Sequence, residues 1–62
     1  MIKMAPNSRG NVSTITLSNN SINTISINML EELGKVLDNI DLDKIRCIIF
    51  NSDQSHFCAG AD

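Results

Sequence analysis

Tryptophan and tyrosine are absent from this sequence, and aromatic residues reach only 3%, supplied by Phe50 and Phe57. The core therefore has to be aliphatic, without the large rings that dominate many interiors. Long apolar runs are missing as well. The longest, Cys47-Ile-Ile-Phe50, is far short of the roughly 20 residues that a membrane-crossing helix requires, so no membrane span is expected. Positive charge is sparse: five Lys and Arg stand against seven acids, for a net charge of −2. The basic residues are scattered at Lys3, Arg9, Lys35, Lys44 and Arg46. They offer no stripe for a phosphate backbone, and nucleic acid is not expected as a partner.

Cysteine is limited to Cys47 and Cys58, too few for a disulfide-built secreted scaffold. The opening Met-Ile-Lys-Met-Ala-Pro-Asn-Ser-Arg-Gly has neither the apolar stretch of a signal peptide nor the Arg-rich pattern of a mitochondrial presequence. A reduced, intracellular chain is expected, in the cytoplasm or an organelle matrix and not secreted. His56, Cys58, Cys47 and Asp53 do not stand at a zinc-binding spacing, and Asp41-Leu-Asp-Lys44 lacks the spacing and glycine of a calcium loop. No metal is expected.

What is present is an ordinary globular composition, 42% hydrophobic and 19% charged, in only 62 residues. A domain of that size buries only about 60% of its unfolded surface, which leaves little core. Residues 1–10, with Pro6, Asn7, Ser8 and Gly10, predict a disordered or turn-rich terminus, with order beginning at Asn11. From Asn11 to Leu17 β-branched residues predominate, Ile15 and Leu17 falling on one face and Thr14 and Thr16 on the other, which predicts a strand. The run Ser18-Asn-Asn-Ser-Ile-Asn23 predicts a loop, because these side chains compete for backbone hydrogen bonds.

From Ser26 the period becomes helical. Ile27, Leu30, Leu33, Leu37 and Ile40 form the apolar stripe, supplemented by Met29 and Val36. Ser26 is placed to cap this helix, and Glu31 and Glu32 to sit in a solvated first turn near the positive end of its dipole. Gly34 in mid-helix costs about 1 kcal/mol relative to Ala, which suggests that something packs closely against it. The run from Ile45 to Phe50, interrupted by Arg46, suits a strand covered on both faces, as in parallel sheets. Strand, helix and strand in this order predict an α/β fold built on a single βαβ unit. One such unit leaves its sheet half covered, so the remainder of its own chain, or a partner, is implied.

The closing Phe57-Cys-Ala-Gly-Ala-Asp62 would lie at the carboxyl end of the second strand, where ligands bind in open α/β folds. Small residues there allow close approach to the backbone, and Gly60 can take positive φ. On composition alone a plain strand-to-helix turn, with Asp62 as a cap, is the favoured reading of the segment.

That segment resembles the signature of the crotonase superfamily, the enoyl-CoA hydratase and isomerase family. Residues 15–33, including Asn23-Thr-Ile-Ser26, are similar to the family's first strand, loop and helix, and Ile45-Arg-Cys-Ile-Ile-Phe-Asn-Ser-Asp53 to its second strand. The resemblance covers about Asn11 to Asp62 and implies the start of a crotonase-like (ClpP/crotonase) spiral fold. It further implies an amino-terminal fragment, with the truncation at Asp62.

By that resemblance the backbone N–H of Ala61 is one half of an oxyanion hole for the thioester carbonyl of an acyl-CoA. Ala59, Gly60, Ala61 and Asp62, with Ile22 and Thr24 from the earlier loop, would contact the CoA moiety. Relatives carry Pro and basic residues in that loop, whereas this chain has Ser-Asn-Asn-Ser-Ile, a departure that bears on any phosphate contact. Coenzyme A enters as part of the substrate, with no separately bound cofactor. The implied activity is hydration of a 2-enoyl-CoA, a lyase reaction of fatty-acid or related acyl-CoA metabolism. Enoyl-CoA isomerase, acyl-CoA hydrolase and a non-catalytic CoA-binding homologue are the alternatives, and a free-standing interaction protein using its open sheet edge is a further one. The family's catalytic Glu residues and second oxyanion N–H lie downstream of the motif, so the 62-residue piece alone is expected to be inactive. Relatives imply a homo-oligomer, trimer or hexamer, at full length.

Overall fold

A computed structural model describes residues 1–61. It contains β1 (Ile2–Pro6), β2 (Val12–Leu17), β3 (Thr24–Ile25), α1 (Ile27–Asp38), β4 (Cys47–Ser52) and β5 (Gly60–Ala61). The class is mixed α/β. One sheet has the order β1-β2-β4, with β1 antiparallel and β4 parallel to β2. The parallel pair is joined through α1, since parallel neighbours require a crossover. β3 and β5 form a separate two-stranded parallel ladder.

The amino terminus differs from its expectation. Residues 2–6 are a strand, paired from Ile2↔Leu17 to Pro6↔Ser13. The Asn7-Ser-Arg-Gly-Asn11 segment is instead the hairpin turn. Asn7 Oδ1 accepts from the N–H groups of Asn11 and Val12 at 3.0 and 3.1 Å. The Gly10 N–H donates to the Asn7 carbonyl at 3.0 Å. Gly10 holds φ +73° there, a conformation open to glycine at little cost. The alternation Ile2-Lys3-Met4 was the available strand signal, masked by the turn residues next to it.

β2 keeps the expected alternation: Ser13, Ile15 and Leu17 are buried, and the residues between them are half-buried. Ser26 caps α1, its hydroxyl accepting from the Met29 N–H at 3.2 Å, which satisfies one of the helix's free donors. Three expectations about the helix change. No acid stands in its first turn, because Glu31 and Glu32 fall one turn further in, and Glu32 instead faces the amino-terminal ammonium at 3.6 Å.

The inward stripe is also a different one. Met29 is buried and Leu33, Val36 and Ile40 are half-buried, whereas Ile27, Leu30 and Leu37 are exposed. With six apolar residues spread around the helix, periodicity allows either face inward, and the entry point after Ser26 selects one. Gly34 lies among the exposed set and nothing stands within 4 Å of the position a Cβ would take. The close packing expected there is thus absent among the described residues.

β4 is less covered than its sequence implies. Among the described residues it pairs with β2 alone, and Ile49 and Phe50 are exposed. Among the described residues the buried hydrophobic side chains are Ile15, Leu17 and Met29. The Cα envelope is 13 Å in its thinnest direction, the depth of one helix on one sheet.

Candidate functional site

The loop after β2 and the segment after β4 meet at one residue, Asn23. It is fully buried and has φ +53°, the left-handed region that Asn tolerates better than most side chains. Its Oδ1 accepts from the Asn19 N–H at 2.8 Å. Its Nδ2 faces four acceptors: the Leu17 carbonyl at 3.1 Å, Ser52 Oγ at 2.6 Å, and the carbonyls of His56 and Phe57 at 3.2 and 3.3 Å. A donor below and acceptors above fix which end of the amide is which.

Ser52 extends the network. Its Oγ donates to the His56 carbonyl at 2.8 Å and accepts from the Gln54 N–H at 3.0 Å. Ser55 Oγ donates to the Ser21 carbonyl at 3.0 Å, adding a second tie between the two loops. No buried side-chain polar atom is left without a partner among the described residues.

Immediately beyond Asn23 the chain forms β3, and beyond the tied segment it forms β5. The Ala59 N–H donates to the Asn23 carbonyl at 3.4 Å, after which the register is Thr24↔Gly60 and Ile25↔Ala61. Thr24 is itself fixed by two asparagines: Asn20 Nδ2 donates to its Oγ1 and Asn19 Nδ2 to its carbonyl, both at 2.7 Å. The structure therefore brings Thr24 beside Gly60 and Ala61, residues far apart in sequence. Ile22 is exposed at the rim of the same loop. Ala59, Gly60 and Ala61 are exposed, and Asp62 lies outside the described residues.

Gly60 has φ +106°, which an L side chain rarely adopts, and nothing lies within 4 Å of where a Cβ would stand. Its N–H is directed at Cys58 Sγ, 3.4 Å away. Glycine is needed here for the backbone conformation alone.

Charge is arranged around this site, not within it. Asp53, following β4, is paired with Lys3 of β1 at 2.8 Å. The hydrogen bond from the Lys3 ammonium, joined by Ser18 and Gln54, holds its carboxyl below the usual 3.8. His56 is exposed, its Nδ1 3.2 Å from Ser55 Oγ. Among the described residues no three His, Cys, Asp or Glu gather where they could hold a metal ion. The resources at this site are backbone groups and the small, exposed residues Ala59, Gly60 and Ala61.

Sequence reasoning included Asn23 in the loop that resembles the family, and assigned it no role. The signal available was an Asn ending a run of loop formers just before a helix cap, a place suited to positive φ.

No helix among the described residues is long and apolar enough to cross a membrane. No curated protein and no solved structure matches the chain. The family model described as enoyl-CoA hydratase/isomerase matches residues 7–62, which takes in β2, the Asn23 loop, α1, β4 and the Gly60–Ala61 segment. The chain belongs to the enoyl-CoA hydratase/isomerase family.

Proposed function

We propose that this segment supplies one half of the oxyanion hole of an acyl-CoA enzyme, with the Ala61 N–H as the donor, and that the full-length protein hydrates a 2-enoyl-CoA. The observation that carries this reading is the β3–β5 register. It sets Gly60 against Thr24 and Ala61 against Ile25, with the two small residues exposed and Gly60 at φ +106°.

The chemistry suits such a face. Adding water to a conjugated thioester places enolate charge on the carbonyl oxygen. A backbone N–H held in advance stabilises that charge more than the neutral substrate, and losing one such donor costs about 10²- to 10³-fold in rate. Ala59 and Gly60, together with Thr24 and Ile22, form the surface for the CoA moiety, and Asp62 follows them in sequence. Proton transfer needs acids and bases from elsewhere in the full-length protein, because Asp53 is engaged by Lys3 and Glu32 by the amino terminus. The exposed apolar side chains Ile27, Leu30 and Leu37 on α1, and Ile49 and Phe50 on β4, are those that a remainder of the protein would cover.

The test is to incubate the full-length protein with a 2-enoyl-CoA and identify the product. A 3-hydroxyacyl-CoA supports the reading. A shifted double bond would point to an isomerase, free CoA thiol to a hydrolase, and binding without turnover to a non-catalytic homologue. Absence of binding to any CoA thioester would overturn the proposal.

A further inference from the structure

We infer that Asn23 is a positioning residue for the Ala61 N–H, acting through the segment 56–59 that its carboxamide holds. The inference rests on the acyl-CoA reading for its catalytic consequence, while the positioning itself can be measured without substrate.

Three observations carry it. Asn23 is fully buried, so its amide exchanges no hydrogen bonds with water. Its two N–H hydrogens are shared among acceptors on β2, on β4 and on the loop leading to Gly60, including the consecutive carbonyls of His56 and Phe57. Its own backbone carbonyl accepts from the Ala59 N–H at 3.4 Å. Thus one residue touches the loop at residues 56, 57 and 59, and the β3–β5 ladder begins directly after it.

Beyond Asn23 the segment is tied by the Ser52–His56 and Ser55–Ser21 hydrogen bonds and by the two-residue β3–β5 ladder. His56, Phe57, Ala59, Gly60 and Ala61 are exposed, and Cys58 is half-buried. Loops held by few buried contacts open at low cost, so loss of the Asn23 amide would free Ala61 to wander from its place opposite Ile25. A displacement of about 1 Å of a catalytic group can cost on the order of 10²-fold in rate.

Asn23→Gly is the informative variant, because Gly keeps the positive φ while removing the carboxamide. Hydrogen exchange is measured on the full-length protein, with kcat and KM determined for a 2-enoyl-CoA. Exchange should accelerate in the peptide spanning residues 56–61 and stay unchanged in β2. With kcat normalised to folded enzyme, a fall of about 10- to 100-fold with KM nearly constant is expected, the mark of an interaction lost in the transition state. A merely structural role would lower the folded fraction and leave normalised kcat intact, which would overturn the inference.

Should Asn23→Gly fail to fold, Ser52→Ala leaves the backbone untouched and removes the 2.6 Å contact together with the Ser52–His56 link. It should give the same pattern at smaller amplitude, and unchanged exchange over 56–61 would overturn the inference. If the wild-type protein binds no CoA thioester, the acyl-CoA reading falls by itself. Exchange then decides whether Asn23 holds the segment: faster exchange over 56–61 upholds the positioning and unchanged exchange rejects it.

Discussion

Replacing Gly60 by alanine separates backbone conformation from packing, because the added methyl group meets nothing. At φ +106°, with no atom within 4 Å of the Cβ position, the cost is one of conformation alone. Backbone held in such a region by an L residue costs of order 1–3 kcal/mol. β5 is two residues long and exposed, so the ground state relaxes, and stability measured by thermal unfolding should change by less than about 1 kcal/mol. Catalysis does not relax with it. The competent conformer must still be reached, and its population falls by the strain energy, which corresponds to about 5- to 150-fold in kcat. The assay is steady-state turnover of a 2-enoyl-CoA by the full-length protein, beside its thermal unfolding midpoint. Full kcat in Gly60→Ala would refute the reasoning, and so would a loss of activity that follows unfolding and nothing else.

Three further outcomes are expected. Ile15→Ala, at the fully buried centre of β2, should lower stability by about 2–5 kcal/mol in chemical denaturation. Asp53 has a folded-state pKa below 3.8, so its pairing with Lys3 is fully present above that value and is lost as pH falls through the lowered one. In Lys3→Ala the Asp53 carboxyl, followed by NMR, should titrate at higher pH than in the wild type. Leu30→Ala should destabilise the full-length protein by about 1–3 kcal/mol if the exposed stripe is covered there, and an unchanged denaturation midpoint would leave that stripe in water.

Sequence made β2, the Ser26 cap, α1 and β4 legible, because each rests on local chemistry: β-branched alternation, a hydroxyl at a helix start, a helical period and a short apolar run. What it left hidden depends on non-local choices. β1 exists because Ile2, Met4 and their neighbours find β2 across a five-residue turn, a pairing that turn composition alone disguised as a loose end. The helix turned Met29 and Val36 inward and left Leu30 and Leu37 outside, a choice between two apolar faces that period cannot make. Gly34 was open, not packed, for the same reason.

The site divides in the same way. Ala61 is singled out by the family resemblance and Gly60 by its freedom to take positive φ, and the structure adds that Thr24 lies directly beside Gly60. The part played by Asn23 was not visible, because its partners at Leu17, Ser52, His56 and Phe57 come from three separate stretches of chain. A buried amide of this kind takes its meaning from the acceptors the fold gathers around it.

The central claim, that the Ala61 N–H polarises a thioester carbonyl, is tested most directly by vibrational spectroscopy of a saturated acyl-CoA bound to the full-length protein. Ala61→Pro removes the N–H and nothing charged. The wild-type complex should show the carbonyl stretch moved to lower frequency than in free acyl-CoA, and the variant, with the CoA moiety still bound, should lose most of that shift. An equal shift in both proteins would contradict the assignment of Ala61.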